Sequence, residues 1–210
     1  MDEKSSPNRR EQQAAMRTAA RRQQIIDAAA SLFAEKGFHR TTTKDIAEAA
    51  QVSEGTLYNY FDSKDDLLLG IMEQLSDIPV MGDQLKDGAT MEPRRFLLEM
   101  MRQRRSMIDE NNAMLQSVLS EILVNPELCQ RYYQELIVPA EEVLVNHIEA
   151  WLDRGQLRPV STYHMAHILL GLMMGLFVME VLGDAMIQQD WEDLSQLVTS
   201  LFIEGAAPKA

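Results

Sequence analysis

Apolar positions recur at helical spacing through most of this chain. Ile25, Ile26, Ala29, Leu32 and Phe33 repeat at i, i+3/4 and i+7, which predicts a helix from about Thr18. Gly37 follows its last turn, where glycine commonly stops a helix. A second helix should open at Thr42 or Thr43, because Thr42 and Asp45 have the spacing of a capping box. Ile46, Ala49 and Ala50 are its inward positions. Gln51-Val52 makes a tight turn, Ser53 caps a short third helix, and Leu57 and Phe61 anchor that helix from behind. Ser63 with Asp66 starts a fourth helix, whose stripe is Leu67, Leu68, Ile71 and Leu75.

Residues 79–93 hold two prolines and two glycines and read as a loop at a domain boundary. Beyond them five helical segments are predicted, at about 93–109, 111–124, 126–153, 162–183 and 190–204, and no strand. Pro139 should kink the third. Residues 1–17 have no apolar period and read as a mobile basic arm. The pattern gives an all-α chain. A helix-turn-helix domain of three helices occupies 18–64, a connecting helix 65–80, and a helical ligand-binding and dimerisation domain 81–210.

Charge changes the picture at one end only. The net charge of −12 argues against nucleic acid when read alone. Residues 4–44, however, carry nine basic and three acidic side chains, while residues 45–210 carry 11 and 27. A basic head on an acidic body suits a DNA-binding protein. The single cysteine, Cys129, excludes an internal disulfide or a cysteine metal cluster, and the polar N-terminus lacks an apolar signal core. A cytoplasmic protein is expected.

Two short helices joined by a tight turn place the second in the major groove of DNA. Its outward positions here are Glu54, Gly55, Thr56, Tyr58, Asn59 and Tyr60. Gly55 lets the backbone approach closely. Thr56, Tyr58 and Tyr60 can hydrogen-bond phosphates and touch a thymine methyl, and Glu54 can accept from cytosine N4. Thr43 and Lys44 sit at one helix N-terminus and Lys64 at another, where phosphate is favoured. The same hydroxyls also serve as plain helix caps, and the tyrosines as packing groups, so the set carries the signal rather than any member.

The run Ala47-Glu48-Ala49-Ala50-Gln51-Val52-Ser53-Glu54-Gly55-Thr56-Leu57-Tyr58-Asn59-Tyr60-Phe61, followed by Ser63-Lys64 and Leu67, resembles the N-terminal domain of the tetracycline-repressor (TetR) family. Ile25-Ile26 through Phe33, Gly37-Phe38 and Thr42-Thr43 extend the resemblance over roughly residues 20–75. It departs at Gln51, where the family most often has glycine. The resemblance implies a symmetric dimer on a palindromic double-stranded operator, with Thr43, Lys44, Glu54, Gly55, Thr56, Tyr58, Tyr60 and Lys64 at the DNA face.

Residues 165–182 are almost entirely apolar. The interruptions His167 and Glu180 argue against a membrane span. A helix apolar all round needs cover all round, which predicts homodimerisation through 162–183 and 190–204, with Gly171 and Gly175 permitting close approach. Fourteen methionines favour an adaptable chamber for a small apolar or amphipathic effector. Met101, Tyr132, His147, Trp151, His167 and Met174 are its candidate wall residues, with Tyr133 and His164 as weaker ones. Arg94, Arg95, Arg102, Arg104 and Arg105 read most simply as a solvated face, with pairing to an anionic ligand as the minority reading. The whole implies a ligand-responsive transcriptional regulator acting as a repressor, without cofactor or metal.

Two other classes compete. A helical-bundle enzyme or metal protein would show Glu-x-x-His, His-Glu-x-x-His or Gly-x-Ser-x-Gly motifs, and the sequence has none. An architectural DNA-binding protein does not need so acidic and apolar a body.

Overall fold

The computed structural model describes residues 9–75 and 91–206. The loop and boundary expected at 79–93 therefore lie mostly outside the described residues, as do residues 1–8 of the expected arm. The described residues are helical with no strand. They form two compact units, divided between Ile71 and Met72, inside the connecting helix.

The N-terminal unit contains α1 (Arg9–Lys36), α2 (Thr43–Ala49), α3 (Glu54–Tyr58) and the first part of α4 (Lys64–Leu75). Helix α1 begins well before Thr18, so residues 9–17 are not an irregular arm. The segment is rich in Ala, Arg, Gln and Glu, strong helix formers. Residues 12–20 are all exposed, so no buried face betrays this helix in the apolar pattern. Gly37 ends α1 at φ +80°. Ile25, Ile26, Ala29, Phe33, Ile46, Leu57, Phe61, Leu67, Leu68 and Ile71 are buried. Ala47 rather than Ala49 takes the inward place on α2. A Cβ on Gly70 would lie 3.2 Å from the Phe61 ring and 3.5 Å from both Ile26 and Arg22, so glycine lets α4 seat closely against α1.

The C-terminal unit contains α5 (Pro93–Val124), α6 (Pro126–Tyr132), a π-helical turn (Tyr133–Ile137), α7 (Val138–Asp153), α8 (Thr162–Val181), α9 (Ala185–Gln189) and α10 (Trp191–Ala206). The break expected near residue 110 is a kink at Asn111 (φ −128°, ψ 15°). There the side-chain amide donates to Met107 O at 2.9 Å and so competes with the helical ladder. Pro139 acts similarly on the next helix. Pro139 has no N–H to give the carbonyl of Glu135 four residues before it, and the Val138 N–H bonds Tyr133 O. The strain is taken up as a π turn.

Helix α5 packs on α10, and α7 on α8. Phe96, Leu97, Met100, Met101, Ile148, Trp151, Leu169, Met173 and Trp191 form the centre of the core. Both indoles are anchored: Trp151 Nε1 donates to Met91 O at 2.8 Å and Trp191 Nε1 to Met101 O at 3.2 Å. Glu180, one of the interruptions in the apolar α8, is only 2% exposed. It is paired with Arg105 Nη1 at 3.1 Å, and Arg105 also binds Asp109.

Candidate functional site

Caps and one strained turn set the pose of α3. The Thr42 hydroxyl accepts from Asp45 N–H at 3.1 Å and the Asp45 carboxylate accepts from Thr42 N–H at 3.0 Å, a complete capping box. These bonds to Thr42 hold the Asp45 carboxyl below the usual carboxylate range. Ser53 Oγ accepts from Thr56 N–H at 3.1 Å and pairs with the Thr56 hydroxyl at 2.8 Å. Between the two helices Gln51 adopts φ 53°. The glycine-like conformation expected there is present without the glycine, and the Gln24 side chain steadies the turn by donating to Ala50 O at 2.8 Å.

Thr43, Glu54 and Tyr58 come together on the outer surface. The hydroxyls of Thr43 and Tyr58 lie 3.3 Å apart, and Thr43 Oγ1 is 3.5 Å from Glu54 Oε1. Tyr58 is 48% exposed, Lys44 and Gly55 are exposed, and Thr56 and Tyr60 are half-buried. A Cβ on Gly55 would meet only Ser53 Oγ, at 3.9 Å. Its own fold leaves that position open to an approaching molecule.

Lys64 is placed differently. Its ammonium donates to Phe38 O at 2.7 Å and Thr41 O at 3.1 Å and lies 4.1 Å from the centre of the Phe38 ring. It braces the α1–α2 connection from inside the unit. Thr41 completes that brace, buried and donating to Gly37 O at 2.9 Å.

The C-terminal unit contains a chamber of about 90 Å³. Met72, Leu75, Met100, Met107, Leu136, Leu144, Met173 and Phe177 supply apolar wall, and Arg104 and Tyr132 supply polar groups. Of the wall residues expected from sequence, Tyr132 and Met174 line it. Met101, His147 and Trp151 do not: all three are buried in the core, where His147 lies 4.6 Å from the Phe96 ring centre. Their composition suited a wall, but their phase on the helices turns them to the packing side. His167 is exposed and meets Glu141 at 3.0 Å. Tyr133 and His164 are exposed. Arg104 was grouped with a solvated face, yet its helix phase gives it away: Met100, Arg104 and Met107 share one stripe.

The outer side of α8 presents Ile168, Leu172, Met179 and, just past its end, Leu182, beside Leu197 and Leu201 on α10, all exposed. Nothing lies within 4 Å of a Cβ placed on Gly171 or Gly175. By length and composition α8 could cross a membrane, with a third of its most apolar stretch buried in the protein.

Comparison with known proteins agrees with this arrangement. Residues 25–71 match the bacterial regulatory proteins of the tetR family, and residues 96–201 match the C-terminal domain of AefR-like transcriptional repressors. The HTH-type transcriptional regulator YvkB of Bacillus subtilis (strain 168) is 28% identical over 191 residues, spanning 86% of this chain and 94% of that protein. The fatty acid metabolism regulator protein of the same strain is 36% identical over 76 residues, 35% of this chain and 39% of that protein. The crystal structure of the Bacillus subtilis regulator FadR in complex with stearoyl-CoA superposes with a TM-score of 0.69 at 26% identity, covering 87% of this chain and 98% of that one. A TetR-family regulator from Pseudomonas syringae pv. tomato shares the fold with a TM-score of 0.64 at 24% identity, over 90% and 97% of the two chains. With a family match over each of its two units, the chain belongs to the tetR family of bacterial regulatory proteins.

Proposed function

We propose that two copies of this chain bind a palindromic operator through α2 and α3, and that a small amphipathic effector in the C-terminal chamber releases them, so that the protein acts as a repressor. The observation that carries the DNA reading is the exposed Thr43–Tyr58–Glu54 array, mounted on two capped helices. Thr43, Lys44, Glu54, Gly55, Thr56, Tyr58 and Tyr60 form the DNA face, and Lys64 holds the loop behind it. The hydroxyl pair is reversible, since either oxygen can donate. When a phosphate arrives, Tyr58 donates outward and Thr43 donates to Tyr58. Glu54 is then released to accept from a base.

The apolar outer rows of α8 and α10 support a two-fold interface, with the open glycines admitting a second backbone. The fatty-acid regulators among the relatives, one of them crystallised with an acyl-CoA, support an effector with a hydrocarbon part. Met72 and Leu75 of the wall lie on the last turns of α4, whose first turns carry Leu67 and Leu68 of the N-terminal core. An effector that binds two arrangements of α4 unequally shifts the population between them.

A gel-shift titration against operator fragments tests the DNA reading. A dimer making about 6–10 phosphate contacts loses about 10³–10⁵ in affinity between about 50 and 200 mM salt. A flat salt response, or equal binding to random DNA, overturns it.

A further inference from the structure

The chamber wall is apolar apart from Arg104 and Tyr132. Arg104 Nε is buried there without a hydrogen-bond partner, and no Asp or Glu is among the lining residues. Among the described residues Arg104 has no carboxylate partner, unlike its neighbours Arg102 and Arg105, which pair with Glu99 and with Asp109 and Glu180. Arg104 is half-buried at the chamber wall, and an anion in the chamber would give its partly desolvated guanidinium a counter-charge. Tyr132 lines the same chamber. Burial pushes its phenol above the ordinary value, and the positive charge of Arg104 acts in the opposite sense. The phenol therefore stays protonated at neutral pH and can donate to an oxygen anion.

Size narrows the class further. The cavity measures about 90 Å³, and a water needs about 10–15 Å³ on that scale. The space thus holds about six to nine water-sized positions, which suits a hydrocarbon chain of medium length.

We propose that the effector is a medium-length amphiphile bearing one carboxylate, whose head is held by Arg104 and Tyr132, with its hydrocarbon chain among Met100, Met107, Met173 and Phe177. This deepens the effector-gated reading above and rests on it. Arg104 offers a planar donor fork that a carboxylate matches with two oxygens. An amine would be repelled by Arg104, and an alcohol would leave the guanidinium without a counter-charge.

Calorimetric titration of the full-length protein with octanoate, 1-octanol, octylamine and octanoyl-CoA tests this without DNA. Octanoate should bind about tenfold or more tightly than the alcohol or the amine. Arg104→Gln should remove that preference by weakening octanoate about tenfold or more. Arg104→Lys should keep part of the preference, because it keeps the charge but loses the fork, and it stands as the test if Arg104→Gln fails to fold. Tyr132→Phe should weaken octanoate alone. Equal binding of octanoate and 1-octanol overturns the proposal. So does octanoyl-CoA binding that is tighter than octanoate and unaffected at Arg104. Because these titrations contain no operator, their failure leaves the DNA reading standing, whereas a failed gel shift leaves the carboxylate site standing.

Discussion

Single residues carry two opposite kinds of strain in this protein. Gln51 holds φ 53°, a conformation that glycine adopts without steric cost. Gln51→Gly should therefore raise stability by about 0.5–1 kcal/mol, read as a higher urea midpoint with an unchanged slope. A lower midpoint would mean that the Gln51 side chain contributes more than its backbone costs. The Arg105–Glu180 pair is the reverse case, with a buried carboxylate whose neutraliser is partly exposed. Arg105→Leu should cost about 2–3 kcal/mol, because it strands Glu180 in the core, while Arg105→Leu with Glu180→Leu should recover most of the loss. Urea melts of the single and double variants check this, and equal losses in both would refute it. The capping box, the Ser53 cap and the inward Leu57 and Phe61 were all legible in the sequence, since each follows from spacing within one helical turn. Arg104 is harder to read, because a cluster of five arginines suggests a solvated face until their phases are separated one by one.

At the scale of elements, α3 is too short to be stable alone. Its pose comes from Ser53, from the anchors behind it and from α2 through Thr43. Tyr58→Ala should therefore weaken operator binding broadly. Glu54→Ala should leave overall affinity closer to wild type and relax base preference at one position per half-site. Binding to a randomised operator library separates the two, and an unchanged preference in Glu54→Ala removes Glu54 as a reader. Element boundaries were less legible than element identities. The start of α1 was hidden because residues 12–20 are exposed, with no packed face to mark the helix. The breaks at Asn111 and Pro139 were placed correctly, but their form was not. A side-chain amide makes one into a kink, and a missing N–H makes the other into a π turn.

For the molecule as a whole, the outer row of α8 decides the state of association. Leu172→Asp puts a charge at the middle of that row beside Gly171 and Gly175. It should yield a monomer by light scattering with an intact helical spectrum, and should lower operator affinity steeply, because two half-sites are no longer held together. A dimer persisting in Leu172→Asp and Leu201→Asp would place the interface elsewhere. The two-domain plan was legible because the helix-turn-helix pattern is followed by a segment with two prolines and two glycines at 79–93. The true chamber lining was not, since it is assembled from α4, α5, α6, α7 and α8, whose mutual rotation no local pattern records. The π turn at Tyr133–Ile137 bears on that lining directly, because Leu136 and Ile137 lie within it and Tyr132 and Ala140 flank it. One surplus amino acid wound into a single coil advances everything downstream by about 100°. Deleting one position there, with Pro139 relieved, would rotate Ala140 and Leu144 off the lumen and recut its bore, so a family sharing this scaffold can change the cargo it senses by slipping a spiral rather than by rebuilding a wall.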